Sequence, residues 1–419
     1  MILYGWGLQH GNPASIFNVI RIAARYDNLD VLENGYGINI RAITEFAMKA
    51  YKEKECDTFN PKEVNDKTSI ELLRKTQKAA TIMQFKLEGQ IIKRHPEYKM
   101  EDRLLLDKIN YKDGTVEING KKHKLKDTYF PTIDPKNPYE LSNDEKEVTE
   151  KLVYSFKNSE KLQKHIKFLF NKGSLYKVFN GNLLIHGCVP MNEKGEFAEM
   201  ELAGRKVSGK EYLKLADKIV RQGFFDEDKK TKLYGEDFLW YLWCGENSPV
   251  FCRKAMKTFE RYFIEDKQEW KEEKNAFFEF AKDEKYCDKV LNEVGADSVN
   301  GHIICGHFPV KFKEGESPVK SNGKLLVIDG GLSKAYQQTT GIAGYTLIYN
   351  SYGLVLAAHE PFTSKEEAIK KESDLHSTKQ IVEKVSRKRI SDTDIGKELN
   401  LQIEDLEKLL YAYNNGIIK

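Results

Sequence analysis

The chain has 419 residues, of which 40% are apolar and 31% charged, and Lys plus Arg exceed Asp plus Glu by only 67 to 64. This length buries a sizeable core and is more than one ordinary domain requires, and the composition excludes a fibrous or disordered chain. The charges are nearly balanced and interspersed, so neither a nucleic-acid nor a membrane-surface partner has a basis in charge.

The six cysteines, Cys56, Cys188, Cys244, Cys252, Cys287 and Cys305, show no C-x-x-C spacing, and no secretory signal precedes them. A reduced, cytoplasmic protein is the expectation. No apolar run reaches the length that crosses a bilayer. The opening Met-Ile-Leu-Tyr-Gly-Trp is short, lacks a basic start and reads as core sequence.

In chain order, residues 14–26 place apolar groups at helical spacing with Ser15 as a cap, and a second helix fits 38–52. Residues 68–94 form a long helical pattern in which Leu72, Ala79, Ile82, Met83 and Phe85 lie near one face, a stripe suited to a core. Two short segments around Asp113 and Gly114 predict a hairpin, residues 130–139 hold three prolines in a loop, and one helix follows from 144 to 170. Residues 65–171 are thus mainly helical and charged, in the manner of an insertion or cap. Strands are predicted at 174–178 and 183–186, and helices near 209–222, 234–243, 253–263 and 284–294. Strands return at 302–305, 324–328, 345–350 and 354–359, the last two as a hairpin about residues 351–353. From Ser364 onward the pattern is charged and helical, with Arg387, Lys388 and Arg389 in one basic patch. The alternation of strands and helices predicts a mixed α/β core.

Chemistry concentrates at strand ends. Residues 182–190, Asn-Leu-Leu-Ile-His-Gly-Cys-Val-Pro, place His186 after a short apolar run, and residues 302–309, His-Ile-Ile-Cys-Gly-His-Phe-Pro, place His307 after another. A lone histidine at a strand end is most often a turn or core residue. Two of them, each beside a glycine that lets backbone or ligand approach, suit a divalent metal on the rim of a sheet. Asp329 precedes Gly330 and Gly331 at a third strand end. It is a candidate ligand, or a partner holding one imidazole in its tautomer, or equally the cap of a turn. The stretch 333–341 is rich in hydrogen-bond donors, suited to phosphate or sugar hydroxyls and equally to a solvated loop; within it Lys334 is the preferred candidate cation, ahead of Arg21, Arg25, Lys254, Arg261 and Lys320, which read first as surface or structural charges. Arg261 fits equally well on a helix where it pairs with a carboxylate.

These two histidine strings, with Tyr-Leu-Trp-Cys at 241–244, Phe-Glu-Arg-Tyr-Phe-Ile at 259–264, Val-Ile-Asp-Gly-Gly-Leu-Ser-Lys-Ala-Tyr at 327–336, and the stretches 16–37 and 340–350, closely resemble class III fructose-1,6-bisphosphatases. The resemblance runs essentially from end to end. It implies a calcineurin-like metallophosphoesterase, a β-sandwich flanked by helices. Residues 1–64 and 172–362 would be parts of the core, 65–171 a mainly helical insertion and 363–419 a helical C-terminal appendage. The activity implied is manganese-dependent, two-metal hydrolysis of the 1-phosphate of fructose 1,6-bisphosphate in gluconeogenesis. His186 would correspond to the family's isolated metal histidine and His307 to that of its Gly-His motif. Pro309 stands where many metallophosphoesterases have a further His.

The sequence also departs from the superfamily pattern. The motifs Asp-x-His, Gly-Asp-x-x-Asp-Arg and Gly-Asn-His-Asp/Glu, which supply the other ligands and the acid/base group, are not found, and His10 lies in the wrong order for the first. No catalytic acid or base is therefore assigned. The expectation is a chain lacking the N-terminal part of its core, inactive alone, with a separately encoded N-terminal half as one conceivable partner. A noncatalytic association module, and a metallophosphatase for another phosphorylated substrate, are the alternative readings.

Overall fold

In the computed structural model, which describes residues 12–65, 68–329, 340–342, 344–360, 364–370, 372 and 377–418, the first helix starts at Asn12 rather than at Ser15. Asn12 Oδ1 accepts from the amides of Ala14 and Ser15, and Pro13 takes the first helical position, where a missing N–H costs nothing. This helix, α1 (Pro13–Arg25), is followed by α2 (Arg41–Ala50) and α3 (Ile70–Arg94). The turn at Asp113 and Gly114 joins β1 (Ile109–Asn110) to β2 (Thr115–Ile118), and β3 (Lys121–Lys124) completes an antiparallel meander. The helix expected over 144–170 is two, α4 (Asn143–Lys157) and α5 (Glu160–Lys172), because Ser159 caps a new start by accepting from the Leu162 amide. Next come β4 (Tyr176–Phe179), β5 (Asn182–Ile185) and an unexpected hairpin, β6 (Met200–Leu202) with β7 (Arg205–Val207). Helices α6 (Gly209–Phe225), α7 (Lys229–Cys244), α8 (Thr258–Phe263), α9 (Phe277–Phe280) and α10 (Glu284–Val294) follow. The remainder runs β8 (Ile303–Cys305), β9 (Val319–Lys320), β10 (Leu325–Val327), β11 (Gly344–Asn350), β12 (Gly353–His359), α11 (Lys365–Lys370), β13 (Ser377–Lys384) and α12 (Asp394–Asn414). The chain is mixed α/β. The C-terminal segment is not wholly helical, since β13 pairs antiparallel along β12, whose open edge completes its ladder.

The chain divides into two compact units, Met1–Ser174 with Ala198–Asn275, and Leu175–Phe197 with Ala276–Lys419. The segments expected as 1–64 and 65–171 lie together in the first. Its centre is α3, which is buried nearly all round and not along one stripe alone, so even its polar residues are interior. They are satisfied there. Arg21 of α1 donates to Gln84 and Asn18, and Gln77 donates to the Phe59 carbonyl. Lys78 donates to Asp127 at 2.6 Å, with the rings of Tyr51, Phe59, Tyr129 and Phe130 between 5.2 and 6.0 Å from its Nζ. Helices α6 and α7 meet backbone to backbone, and only glycine fits at Gly223 and Gly235.

In the second unit a five-stranded sheet has the order β4-β5-β8-β10-β9. Its middle three strands, β5, β8 and β10, are parallel, and the outer two are antiparallel to their neighbours. A second sheet, β11-β12-β13, is antiparallel throughout. The two sheets meet through Ile304 and Leu326 on one side and Leu347, Leu354 and Val382 on the other. Fully burying an aliphatic side chain is worth about 2 kcal/mol, so this small core holds the sheets face to face. His302, at the start of β8, adds a polar tie, its ring nitrogens 2.8 Å from the Gly323 carbonyl and 3.3 Å from Glu383. Helix α10 lies against β5 and buries Cys287, Val290, Leu291 and Val294. The six cysteines are free thiols, all buried, and among the described residues no helix is long and apolar enough to cross a membrane.

Candidate functional site

Three adjacent parallel strands deliver their carboxyl ends to one edge of the five-stranded sheet, the place where open α/β sheets bind ligands. The register fixes what arrives there. Leu183 of β5 lies opposite Ile303 of β8, which lies opposite Leu325 of β10. The chain therefore leaves the sheet through His186, through Gly306 and His307, and through Asp329, side by side.

Backbone bonds lock the two histidine loops together. The Gly306 amide donates to the His186 carbonyl at 2.9 Å, and the Phe308 amide donates to the Gly306 carbonyl at 2.8 Å. The second bond closes a three-residue turn about His307, whose φ is +68°. Positive φ at a residue with a side chain is uncommon, and a three-residue turn of this hand is the strained one. Such strain persists only where the surroundings hold it, and it clusters at ligand sites. Here it turns one imidazole toward the other. His186 Nε2 lies 3.1 Å from His307 Nδ1, with the rings edge to face and their centroids 4.9 Å apart. Phe308 stands edge-on to His307 and Phe278 edge-on to Phe308, which walls one side of the pair.

Burial, and then the neighbouring His307, lower the pKa of His186 to about 4. At neutral pH its imidazole is uncharged and presents a lone pair. Metal–imidazole bonds of about 2.0–2.1 Å put adjacent ligand nitrogens roughly 2.9–3.4 Å apart, so the observed 3.1 Å suits two neighbouring positions around one divalent cation. Among the described residues, no group of three or more His, Cys, Asp or Glu side chains gathers at metal-holding distance, so a cation placed here would meet the two imidazoles. Cys305, near Cys188, has its thiol pushed up to about 12 by burial, which keeps it protonated and unsuited to bind a metal as thiolate.

Asp329 stands beside the pair without joining it in a three-ligand set. A side chain on Gly306 would begin 3.7 Å from Asp329 Cβ and 3.8 Å from the His186 carbonyl, so those two residues flank Gly306. The Asp329 carbonyl accepts from the Val310 amide at 2.8 Å, which joins the third strand end to the His307 loop. Lys334, with Gly330 and Gly331, lies outside the described residues. The other candidate cations have local partners: Arg25 Tyr262, Lys254 Glu273, and Lys320 Glu316. Arg21 is buried against Gln84 and Asn18. Arg261 sits on α8 and pairs with Glu272 at 3.2 Å, in keeping with the structural alternative. The sequence reading missed the part played by Gly306, whose amide and carbonyl make both locking bonds. Its signal was the Gly-His dipeptide just past a strand.

The sequence profile described as Firmicute fructose-1,6-bisphosphatase matches residues 4–415. The chain belongs to that family. Proteins named fructose-1,6-bisphosphatase class 3 are similar to it over nearly its whole length: those of Clostridium botulinum strains Langeland and Loch Maree are each 56% identical over 418 residues, and that of Clostridium novyi strain NT is 52% identical over 418. Each alignment takes in 99% of this chain and 63% of the relative. The chain thus spans about 63% of the length of the curated relatives it matches. The expectations of a lost N-terminal section, of inactivity and of a separately encoded half are not shown by these alignments. No solved structure matches.

Proposed function

We propose that this chain carries the metal-binding histidine pair of a class III fructose-1,6-bisphosphatase, which hydrolyses the 1-phosphate of fructose 1,6-bisphosphate. One observation carries the reading. Two imidazoles converge to 3.1 Å at the carboxyl ends of adjacent parallel strands, one of them on a turn with positive φ. The names of the relatives supply the substrate, and the family supplies manganese and a calcineurin-like sandwich as the finer description of the two packed sheets.

His186 and His307 would hold a divalent cation through Nε2 and Nδ1, and Asp329 would orient that site from its flank. When bound, such a cation polarises a phosphoryl oxygen and offsets the charge that develops in hydrolysis. The protein's part is to keep the His186 imidazole deprotonated through burial and the neighbouring His307, to fix the spacing of the two rings through the Gly306 bonds, and to exclude water on the Phe308 side. Lys334 would meet a substrate phosphate.

Manganese binding by the purified chain, followed by titration calorimetry, reads the pair directly. Phosphate release from fructose 1,6-bisphosphate, compared with other sugar phosphates, reads the substrate. Both should fall at least tenfold in His186→Ala and in His307→Ala. Binding and turnover that survive both substitutions would sink the assignment. Turnover favouring another phosphate ester would retain the metal site and change the substrate.

A further inference from the structure

Helix α12 is 21 residues long, and within it only Gly396 is buried. It is fixed at its first turn alone among the described residues. Asn180 donates its amide to Asp394 Oδ2, Asp394 returns a backbone bond to Asn180 Oδ1, and Thr393 caps the helix through the Gly396 amide. Beyond that turn the helix carries Leu399, Ile403, Leu406, Leu410 and Tyr413, each between 45% and 64% exposed. Helices in proteins gain most of their stability from a packed apolar face, and beyond its first turn this one has its large apolar residues exposed.

The spacing of these five residues names what covers them. They recur at intervals of four, three, four and three, the alternation of a two-residue seam in a seven-residue repeat. In heptad letters Leu399, Leu406 and Tyr413 are d, and Ile403 and Leu410 are a. One of the two a positions, Ile403, is β-branched and two of the three d positions are leucine, the combination that leans toward two parallel strands. The flanks agree. In a parallel pair Gln402 at g meets Glu407 at e of the partner and Leu409 meets Asn414, so no like charges are opposed. Lys397, Glu398, Glu404, Asp405 and Lys408 all fall at b, c or f, away from the seam.

We infer that α12 is a dimerisation helix whose a/d seam takes the same helix of a second copy of this chain, parallel and in register. The seam covers about two heptads, fewer than the three or four that mark a free-standing coiled coil. It therefore works as an interface added to a folded unit, with an affinity that depends on every layer.

Light scattering on size-exclusion eluates of the full chain, over a range of micromolar concentrations, tests this. The wild type should run as a dimer, and Leu406→Glu as a monomer with its circular dichroism otherwise retained and its dissociation constant raised at least tenfold. Leu406→Cys should cross-link readily to its copy under copper–phenanthroline oxidation, whereas Leu401→Cys, at f, should not; the native cysteines are buried and give a low background. A wild type that stays monomeric at high micromolar concentration overturns the inference, and a partner other than a second copy then covers the helix. A dimer that survives both Leu406→Glu and Ile403→Glu, or one in which Leu401→Cys cross-links as well as Leu406→Cys, overturns the seam.

Discussion

Lys86 Nζ lies 2.7 Å from Glu145 Oε2, and both side chains are fully buried. The lysine also donates to the Thr132 carbonyl at 2.6 Å, and Glu145 Oε2 accepts from the Ser142 amide as part of the box that starts α4. The pair thus links α3 to the start of α4. Removing one member strands a charge in the interior, whereas removing both does not. Lys86→Met is expected to destabilise the chain by about 3–5 kcal/mol, and Lys86→Met with Glu145→Leu by clearly less. Denaturant unfolding of the two singles and the double gives the coupling, and an additive double variant would contradict the account.

Gly223 and Gly235 predict a steric limit. A side chain on Gly235 would begin 2.5 Å from the Gly223 backbone, and one on Gly223 would begin 2.8 Å from that of Gly235. Backbone cannot rotate aside as a side chain does, so α6 and α7 must separate. Gly235→Ala should cost about 3 kcal/mol despite alanine's better helix propensity. A neutral or stabilised Gly235→Ala variant in a thermal melt would show that the helices do not touch.

Glu236 gives a pH-dependent stability. Burial raises its pKa to about 7, with Lys157 and Lys232 opposing the shift. The folded value lies above the unfolded one. Its contribution is therefore complete below pH 4.5, the unfolded value, and is lost as pH rises through about 7. Partial exposure screens the effect, leaving roughly 1–3 kcal/mol. Glu236→Gln should be more stable than wild type at pH 8 and no more stable at pH 4. Equal gains at both values would assign the effect to something other than ionisation.

The positive φ of His307 predicts a backbone strain that a substitution can read. Glycine takes that conformation freely and alanine does not. His307→Gly should therefore be about 1 kcal/mol more stable than His307→Ala, although both lose the ring and, under the proposed function, metal affinity. Unfolding curves in the presence of a chelator decide it, and an alanine variant at least as stable as the glycine variant would rule out a strained turn.

The α/β alternation was legible because side-chain periodicity is local. Most strands and helices fall within a few residues of their expected places, and His186 and His307 stood out as histidines beside glycine at strand ends. Less legible were elements whose reasons lie elsewhere in the chain. The break at Asn158 is a capping choice by Ser159 within a continuous helical pattern, and β13 is a polar segment made a strand by the edge of β12. Helix α3 read as a one-sided stripe because Lys78 and Lys86 look like surface residues until Asp127 and Glu145 arrive from 49 and 59 residues away.

The sequence by itself determined the residue types at the site and the apolar runs that carry them to a sheet edge, since both follow from neighbours a few residues apart. Its strings likewise marked the family. Only the tertiary structure decided that the two histidines meet. They are 121 residues apart in the chain, and the parallel register of β5 against β8, with the Gly306 bonds, brings two otherwise ordinary imidazoles to 3.1 Å. Burial in that setting, with His307 beside it, then lowers the pKa of His186 and leaves its imidazole uncharged at neutral pH.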